Sequence, residues 1–177
     1  MNNSFDLRTE EIRKKYHPEK VQVLFIGESP PASGKFFYKG DSGLAQFTEQ
    51  AFSNAYKITF SPNLIFLDCF KKAGCYLDDL CLYPINRIND DCREIERIKG
   101  IKDLSNRIGS EKPKAIITVI NNIMNHVNEA IRLAKMDKIK PIHLPFPCRQ
   151  NKERYVSGLT GEICKLVDAG ILPKKLQ

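Results

Sequence analysis

The feature that most constrains this fold is a short apolar segment that ends abruptly in a polar loop. Residues 21–26 read VQVLFI, a pattern typical of a buried strand in a parallel sheet. Gly27, Glu28 and Ser29 follow at once, and two prolines come next. Parallel α/β sheets bind their ligands beyond the carboxyl ends of the strands. The pattern therefore predicts that a carboxylate and a hydroxyl lie at a ligand crevice.

The residues of this loop exclude two common kinds of functional loop. A P-loop has the pattern G-x-x-x-x-G-K-[ST] and binds phosphate through free backbone N–H groups. Here six residues separate Gly27 from Gly34, a phenylalanine follows the lysine, and the two prolines have no N–H. A nucleophile elbow at Ser29 would need the N–H of the next residue in its oxyanion hole, and that residue is Pro30.

Helical and strand patterns alternate along the rest of the chain. Helices are predicted at about 5–16, 44–56, 63–73, 86–112, 121–135 and 155–169, and further strands at 76–83, 115–120 and 139–144. Apolar residues recur every three or four positions from Ile95 to Ile108, which indicates one helix or two with a break near Gly100. Asn121 or Asn122 is a candidate cap for the fifth helix.

This alternation favours right-handed crossovers between neighbouring strands. It predicts an α/β fold, a three-layer α/β/α sandwich with a mainly parallel four-stranded central sheet. No linker divides the chain, so we expect one domain over residues 1–177, with an N-terminal helix at about 5–16 and a short basic tail at 170–177.

The charge of the chain favours a polyanionic partner such as DNA. Its 177 residues carry a formal net charge of +7, and a positive surface concentrates polyanions. The six cysteines form no C-x-x-C pair and the three histidines lie far apart, so we expect no metal and no other cofactor. The scattered cysteines and the lack of a long apolar segment favour a cytoplasmic protein without a membrane partner. No protein partner is indicated.

Four short motifs follow one another along the chain. The first is G-E-S-P at 27–30, and two adjacent phenylalanines at 36–37 follow it. The third is Y-L-D-D-L at 76–80, and the fourth is L-P-F-P at 144–147 with basic residues after it. Together these motifs resemble those of the uracil-DNA glycosylase superfamily, especially its bacterial G-E-x-P branch.

The resemblance spans about residues 20–170 and implies a hydrolase that cleaves the N-glycosidic bond of uracil or another modified base flipped out of DNA. It implies a catalytic role for Glu28 and Ser29, in which a polar residue handles the hydrolytic water. The implied base-binding residues are Gly27, Pro30, Phe36, Phe37 and Asp79. The implied DNA-binding residues are Pro145, Phe146, Pro147, Arg149, Lys152 and Arg154.

Three departures from the family pattern leave other functions open. Phe146 stands where the family has a histidine, and Asp79 stands where it has an asparagine. An ionised carboxylate only accepts hydrogen bonds, so Asp79 suits the N3–H of uracil and repels O4. The cluster-binding cysteines of the thermophilic branch have no counterparts here.

The alternatives are a catalytically inactive nucleic-acid-binding module of the same fold and a hydrolase of free nucleosides or nucleotides. For Glu28 taken alone, the alternative is a structural role, as a helix cap or as an ion-pair partner of Lys35.

Overall fold

Four parallel strands form the centre of the molecule, which a computed structural model describes over residues 3–176, with side chains from residue 9 onward. The strands are β1 (Val23–Gly27), β2 (Cys75–Asp79), β3 (Ala115–Thr118) and β4 (Ile142–His143). Their order across the sheet is β2-β1-β3-β4, and every pairing is parallel. The remaining residues at the two ends of the predicted domain, 1–2 and 177, lie outside the described part of the chain.

Six α-helices accompany this sheet within residues 3–176. They are α1 (Asn3–Lys15), α2 (Gly43–Tyr56), α3 (Phe66–Lys72), α4 (Asp90–Glu111), α5 (Met124–Leu133) and α6 (Lys152–Asp168). The connections from β1 to β2 and from β2 to β3 cross the sheet in opposite directions, so right-handed crossovers put α2 and α3 on one face and α4 on the other. α6 packs against α2, and α5 packs against α4. The predicted three-layer α/β/α sandwich is confirmed.

The register of the central strands determines where a ligand can bind. All five residues of β1 are buried, as expected for a strand covered by helices on both faces. Gly27 lies beside Asp79 in β2, and Ile26 lies beside Thr118 in β3. β1, β2 and β3 therefore end at nearly the same level, and their following loops diverge from one place at the edge of the sheet.

Two strands and one predicted helix cap differ from the prediction, and α3, α4, α5 and α6 begin three or four residues away from their predicted starts. β2 ends at Asp79, well before residue 83. β4 contains only Ile142 and His143 of the predicted 139–144, because the prolines that flank this region have no N–H for a sheet ladder. The segment after β3 begins as a 3-10 turn at Asn121–Ile123 without a side-chain cap, so the predicted asparagine cap is wrong.

α4 is one continuous helix, without the break near Gly100 that one of the two alternatives included. Gly100 lies where this helix passes over the chain that leaves β2. A Cβ atom at this position would lie 2.6 Å from the carbonyl oxygen of Leu80, which is closer than a van der Waals contact. Glycine is needed here for the close approach of helix and backbone.

We therefore expect Gly100→Ala to lower the free energy of unfolding by about 1–3 kcal/mol, since the added methyl group must displace backbone. Gly109→Ala in the same helix is the matched control, because the nearest atom to its added Cβ would be 4.0 Å away, in Ala134. That change should raise the free energy of unfolding by about 0.5–1 kcal/mol through helix propensity alone. Urea titrations followed by circular dichroism measure both values. Equal stabilisation by the two changes would contradict the close approach at Gly100.

The chain after α6 folds back onto the domain. Leu172 is buried, and the Tyr56 hydroxyl donates to the carbonyl oxygen of Pro173 at 2.8 Å. The first part of the segment predicted as a basic tail thus packs against α2. Within residues 3–176, no helix combines the length and the apolar character needed to cross a lipid bilayer.

Candidate active site

A cavity of about 410 Å³ lies where the loops after β1, β2 and β3 diverge. The cavity is mainly apolar, with carboxylates, hydroxyls and cations at a few points of its wall. All seven residues that the sequence predicted for catalysis and base binding line this cavity, and so does one residue of the predicted DNA-binding loop. These are Gly27, Glu28, Ser29, Pro30, Phe36, Phe37, Asp79 and Phe146.

Glu28 lies in the wall of this cavity and is clamped by two arginines of α4. Its side chain is 8% exposed. Arg93 donates from Nε to Oε1 at 2.9 Å and from Nη2 to Oε2, and Arg97 donates from Nε at 2.7 Å and from Nη2, both to Oε1. Oε1 thus accepts three hydrogen bonds, and Oε2 accepts one. Since a carboxylate oxygen has two lone pairs, Oε2 retains room for a further donor such as water.

The two arginines keep Glu28 ionised. Burial acts to raise the pKa of Glu28, but hydrogen bonds from Arg93 and Arg97 outweigh it and lower the pKa below the ordinary glutamate value. Glu28 forms neither of the structural contacts considered as its alternative, a helix cap or an ion pair with Lys35. Its ion pairs are made across the loop, with the first two turns of α4.

We expect these ion pairs to stabilise the fold in a pH-dependent way. A carboxylate whose pKa is lowered by folding adds its full stabilisation above its unfolded value of about 4.3, and loses it as the pH falls through the lower folded value. The difference in unfolding free energy between the parent and Glu28→Gln should therefore stay constant from about pH 7 to about pH 5 and shrink below about pH 4.3. Urea titrations at each pH measure this difference. A difference that grows as the pH falls below 4 would contradict the assignment.

The clamp continues away from the cavity. Arg97 also donates from Nη1 to Glu94 at 3.0 Å, and the other oxygen of Glu94 lies 2.8 Å from Nε2 of His126 in α5. Arg97 is thereby held between two carboxylates. Arg93 has only Glu28 as an ion-pair partner among the described residues.

Ser29 joins the loop after β1 to the loop after β2. Its hydroxyl oxygen accepts a hydrogen bond from the backbone N–H of Ile85 at 3.3 Å, and the next link is from the N–H of Ala32 to the side chain of Asn86 at 3.0 Å. Ser29 therefore has a structural contact as well as a place in the cavity wall.

Asp79, which lies beside Gly27 at the end of β2, is held by a buried ion-pair network. Arg13 of α1 donates to Asp79 at 2.8 Å and to Asp78 at 3.1 Å, and Arg107 of α4 donates to the second oxygen of Asp78 at 2.6 Å. Burial raises the pKa of Asp79, and the charge of Arg13 opposes that shift. The carboxylate is pressed against β1, since a Cβ on Gly27 would lie 2.4 Å from Oδ1 of Asp79.

The two predicted stacking residues belong largely to the core. Phe36 and Phe37 are buried, and each makes an edge-on contact with the ring of Tyr38. The guanidinium of Arg13 lies 5.4 Å from the ring centre of Phe36. Each of the two rings therefore contributes part of its surface to the cavity wall and the rest to core packing.

The predicted DNA-binding loop reaches the cavity through one residue. Phe146 is 44% exposed and lines the cavity. Among the residues that the structure describes, the cavity lining does not include Pro145, Pro147, Arg149, Lys152 or Arg154. Lys152 lies with its ammonium 5.1 Å from the ring centre of Phe47, and Arg149 and Arg154 are exposed.

Comparison with known proteins gives no identification. No protein-family model matches the chain, and no curated protein sequence matches it. The resemblance to the uracil-DNA glycosylase superfamily therefore stays a prediction.

Sequence reasoning missed the arginines of this site. A signal for two of them exists in α4, where Leu104 and Ile108 are buried. Continued toward the start of the helix in steps of three or four residues, the same stripe contains Gly100, Arg97 and Arg93. Nothing comparable marks Arg13, because its partners lie 65 and 66 residues away.

Within residues 3–176, no group of three or more histidine, cysteine, aspartate or glutamate side chains is arranged to hold a metal ion.

Proposed function

We propose that this protein is a hydrolase of the DNA glycosylase type, which cleaves the N-glycosidic bond of uracil or another modified base flipped out of DNA. The observation that carries the proposal is Glu28, an ionised carboxylate held in the wall of a mainly apolar cavity of about 410 Å³. That volume lies within the range of about 300–1,000 Å³ usual for small-molecule sites. An extruded base needs such a cavity.

Cleavage of an N-glycosidic bond develops positive charge on the sugar. Glu28 contributes a carboxylate oxygen to this step, since Oε2 accepts only one hydrogen bond from the arginines and has a lone pair left to orient the attacking water. The arginine clamp supports this role, since it keeps the carboxylate ionised and fixes its direction. The exposed ring of Phe146 in the cavity wall favours a flat aromatic ligand.

The basic residues that follow Phe146 along the chain support a DNA strand as the carrier of the base. Phe146 stands exposed beside the cavity, and the basic residues Arg149, Lys152 and Arg154 follow it. In this proposal the three cations contact phosphates, and Phe146 wedges into the base stack.

The test is direct. The purified protein is incubated with single- and double-stranded oligonucleotides that carry uracil, hypoxanthine or xanthine, and alkali then cleaves any abasic sites. Strand breaks in at least one oligonucleotide, absent from unmodified DNA of the same sequence, are the expected result. Free nucleosides are tested in parallel, and release of base from these alone would indicate a nucleoside hydrolase. No release from any substrate would overturn the proposed hydrolysis.

A second candidate function is a nucleic-acid-binding module without catalysis. The clamp favours it in one respect, since two arginines that lower the pKa of Glu28 also make its carboxylate a weak base. This candidate predicts binding that weakens steeply as the salt concentration rises, with no base release in the test above.

A further inference from the structure

The guanidinium of Arg93 has one edge engaged and one edge open. Its Nε and Nη2 atoms donate to the two oxygens of Glu28. Within the described residues, its Nη1 group donates to no protein acceptor, while all three nitrogens of Arg97 are engaged. Arg93 lines the cavity and Arg97 does not. Arg93 is thus a lining residue of the cavity, held by Glu28, with N–H donors that no described residue accepts.

The charges around the cavity make this edge the natural place for a negative group. Glu28 is shared by Arg93 and Arg97, but Arg97 also has Glu94 as a partner, so these four side chains are neutral together. Among the described residues Arg93 has only this shared carboxylate, so its charge is the less compensated of the two, and the second carboxylate of the wall, Asp79, is paired with Arg13. Lys35 also lines the cavity, but its side chain is exposed and solvent screens its charge. Arg93 is 23% exposed and tied in place by its ion pair, so its direction is preorganised.

We infer that Arg93 binds the negative charge that develops on the departing base. This inference rests on the proposed function and names a second catalytic residue for it. It also supplies a side-chain donor, which none of the residues 144–147 has.

The step balances with water as the only co-reactant. The bond between C1′ of the sugar and the base nitrogen breaks, and its electron pair leaves with the base as an anion hydrogen-bonded to Arg93. The oxygen of the water oriented by Glu28 forms a bond to C1′, and its proton passes to solvent. The base takes a proton from solvent after it has left.

The experiment uses two free pyrimidines of similar shape, uracil, which is neutral at pH 7, and barbiturate, which is an anion at that pH. Calorimetric titration gives the affinity of each for the parent, for Arg93→Gln and for Arg97→Gln. The parent should bind barbiturate more tightly than uracil. In Arg93→Gln the ratio of the two affinities should be at least tenfold lower than in the parent. Arg97→Gln is the matched control, because it removes the other partner of Glu28 without removing a donor from the cavity. It should leave the ratio of the two affinities unchanged.

Three results would overturn the inference. They are a parent without preference for barbiturate, an Arg93→Gln variant that retains it, and displacement of barbiturate by inorganic phosphate at equal concentration, which would indicate a phosphate site. The binding test does not depend on turnover. A preference that depends on Arg93, found together with no base release in the oligonucleotide test, would support the anion donor and overturn only the proposed hydrolysis.

Discussion

Arg13→Met is expected to lower the free energy of unfolding by about 3–5 kcal/mol, because it removes the cation that two buried carboxylates, Asp78 and Asp79, share. Arg13 is 2% exposed and bridges Asp78 and Asp79 at the end of β2. Burial opposes its charge, but Asp79 and Asp78 outweigh that effect and raise the pKa of Arg13. Methionine replaces the length of the side chain without the charge. Since small domains are stable by about 5–15 kcal/mol, the loss is a large part of the total.

Arg107→Met is the matched control for this prediction. Arg107 pairs with the same Asp78, but its side chain is 26% exposed, so water replaces part of what is lost and the cost should be clearly smaller. Adding Asp79→Asn to Arg13→Met should recover part of the stability, because it removes one unpaired buried charge. Urea denaturation measures all four proteins. A cost below about 1 kcal/mol for Arg13→Met would mean that the network is not a buried ion-pair system.

Glu28→Gln is expected to slow base release by at least about 100-fold, the usual cost of removing one electrostatic contact to a transition state. The amide keeps the shape of the side chain and loses the charge that, in the proposed mechanism, orients the attacking water. Single-turnover rates on the oligonucleotide that the parent cleaves fastest measure the effect. DNA affinity, measured separately by fluorescence anisotropy, should change little, since the proposed phosphate contacts, Arg149, Lys152 and Arg154, lie outside the cavity lining.

The control for this variant is Glu94→Gln, which removes the other carboxylate partner of Arg97. Glu94 is not part of the cavity lining, and its side chain is 47% exposed. Base release by Glu94→Gln should stay within about threefold of the parent, an effect of well under 1.4 kcal/mol. Equal slowing by both variants would mean that Glu28 acts only by holding α4 in place. Equal rates for Glu28→Gln and the parent would remove Glu28 from the mechanism.

The strands and most helices were predictable because their patterns are local. The apolar run 115–120 contains β3, and the helical spacing at 44–56 matches α2. Hydrophobic periodicity within a segment shows which of its side chains are buried, and so which secondary structure it forms. The crevice was predictable for the same reason, since a glycine and a polar residue directly after a buried strand mark its carboxyl end. Eight predicted site residues accordingly line one cavity.

Helix α4 illustrates where local pattern fails. Ile95 and Ile98 continue the apolar spacing of the helix, yet they are 50% and 56% exposed, while Arg93 and Arg97 turn toward the sheet. The start of this helix packs beside the end of β1, where the surface that the helix contacts contains the carboxylate of Glu28. Charge pairing with Glu28 decides the orientation there, and apolar burial decides it only from Leu104 onward.

By itself the sequence determined an α/β sandwich, the order of its elements and the position of Glu28 at a strand end, because these depend on neighbours along the chain. Only the tertiary structure decided what surrounds that carboxylate. The partners of Glu28 lie 65 and 69 residues away, and those of Asp79 and Asp78 are reached only when α1 and α4 pack onto the sheet. Ion pairs form between whichever charged groups packing brings within a few ångströms, and the helical spacing that puts Arg93 and Arg97 on the buried stripe of α4 does not tell which carboxylate they meet.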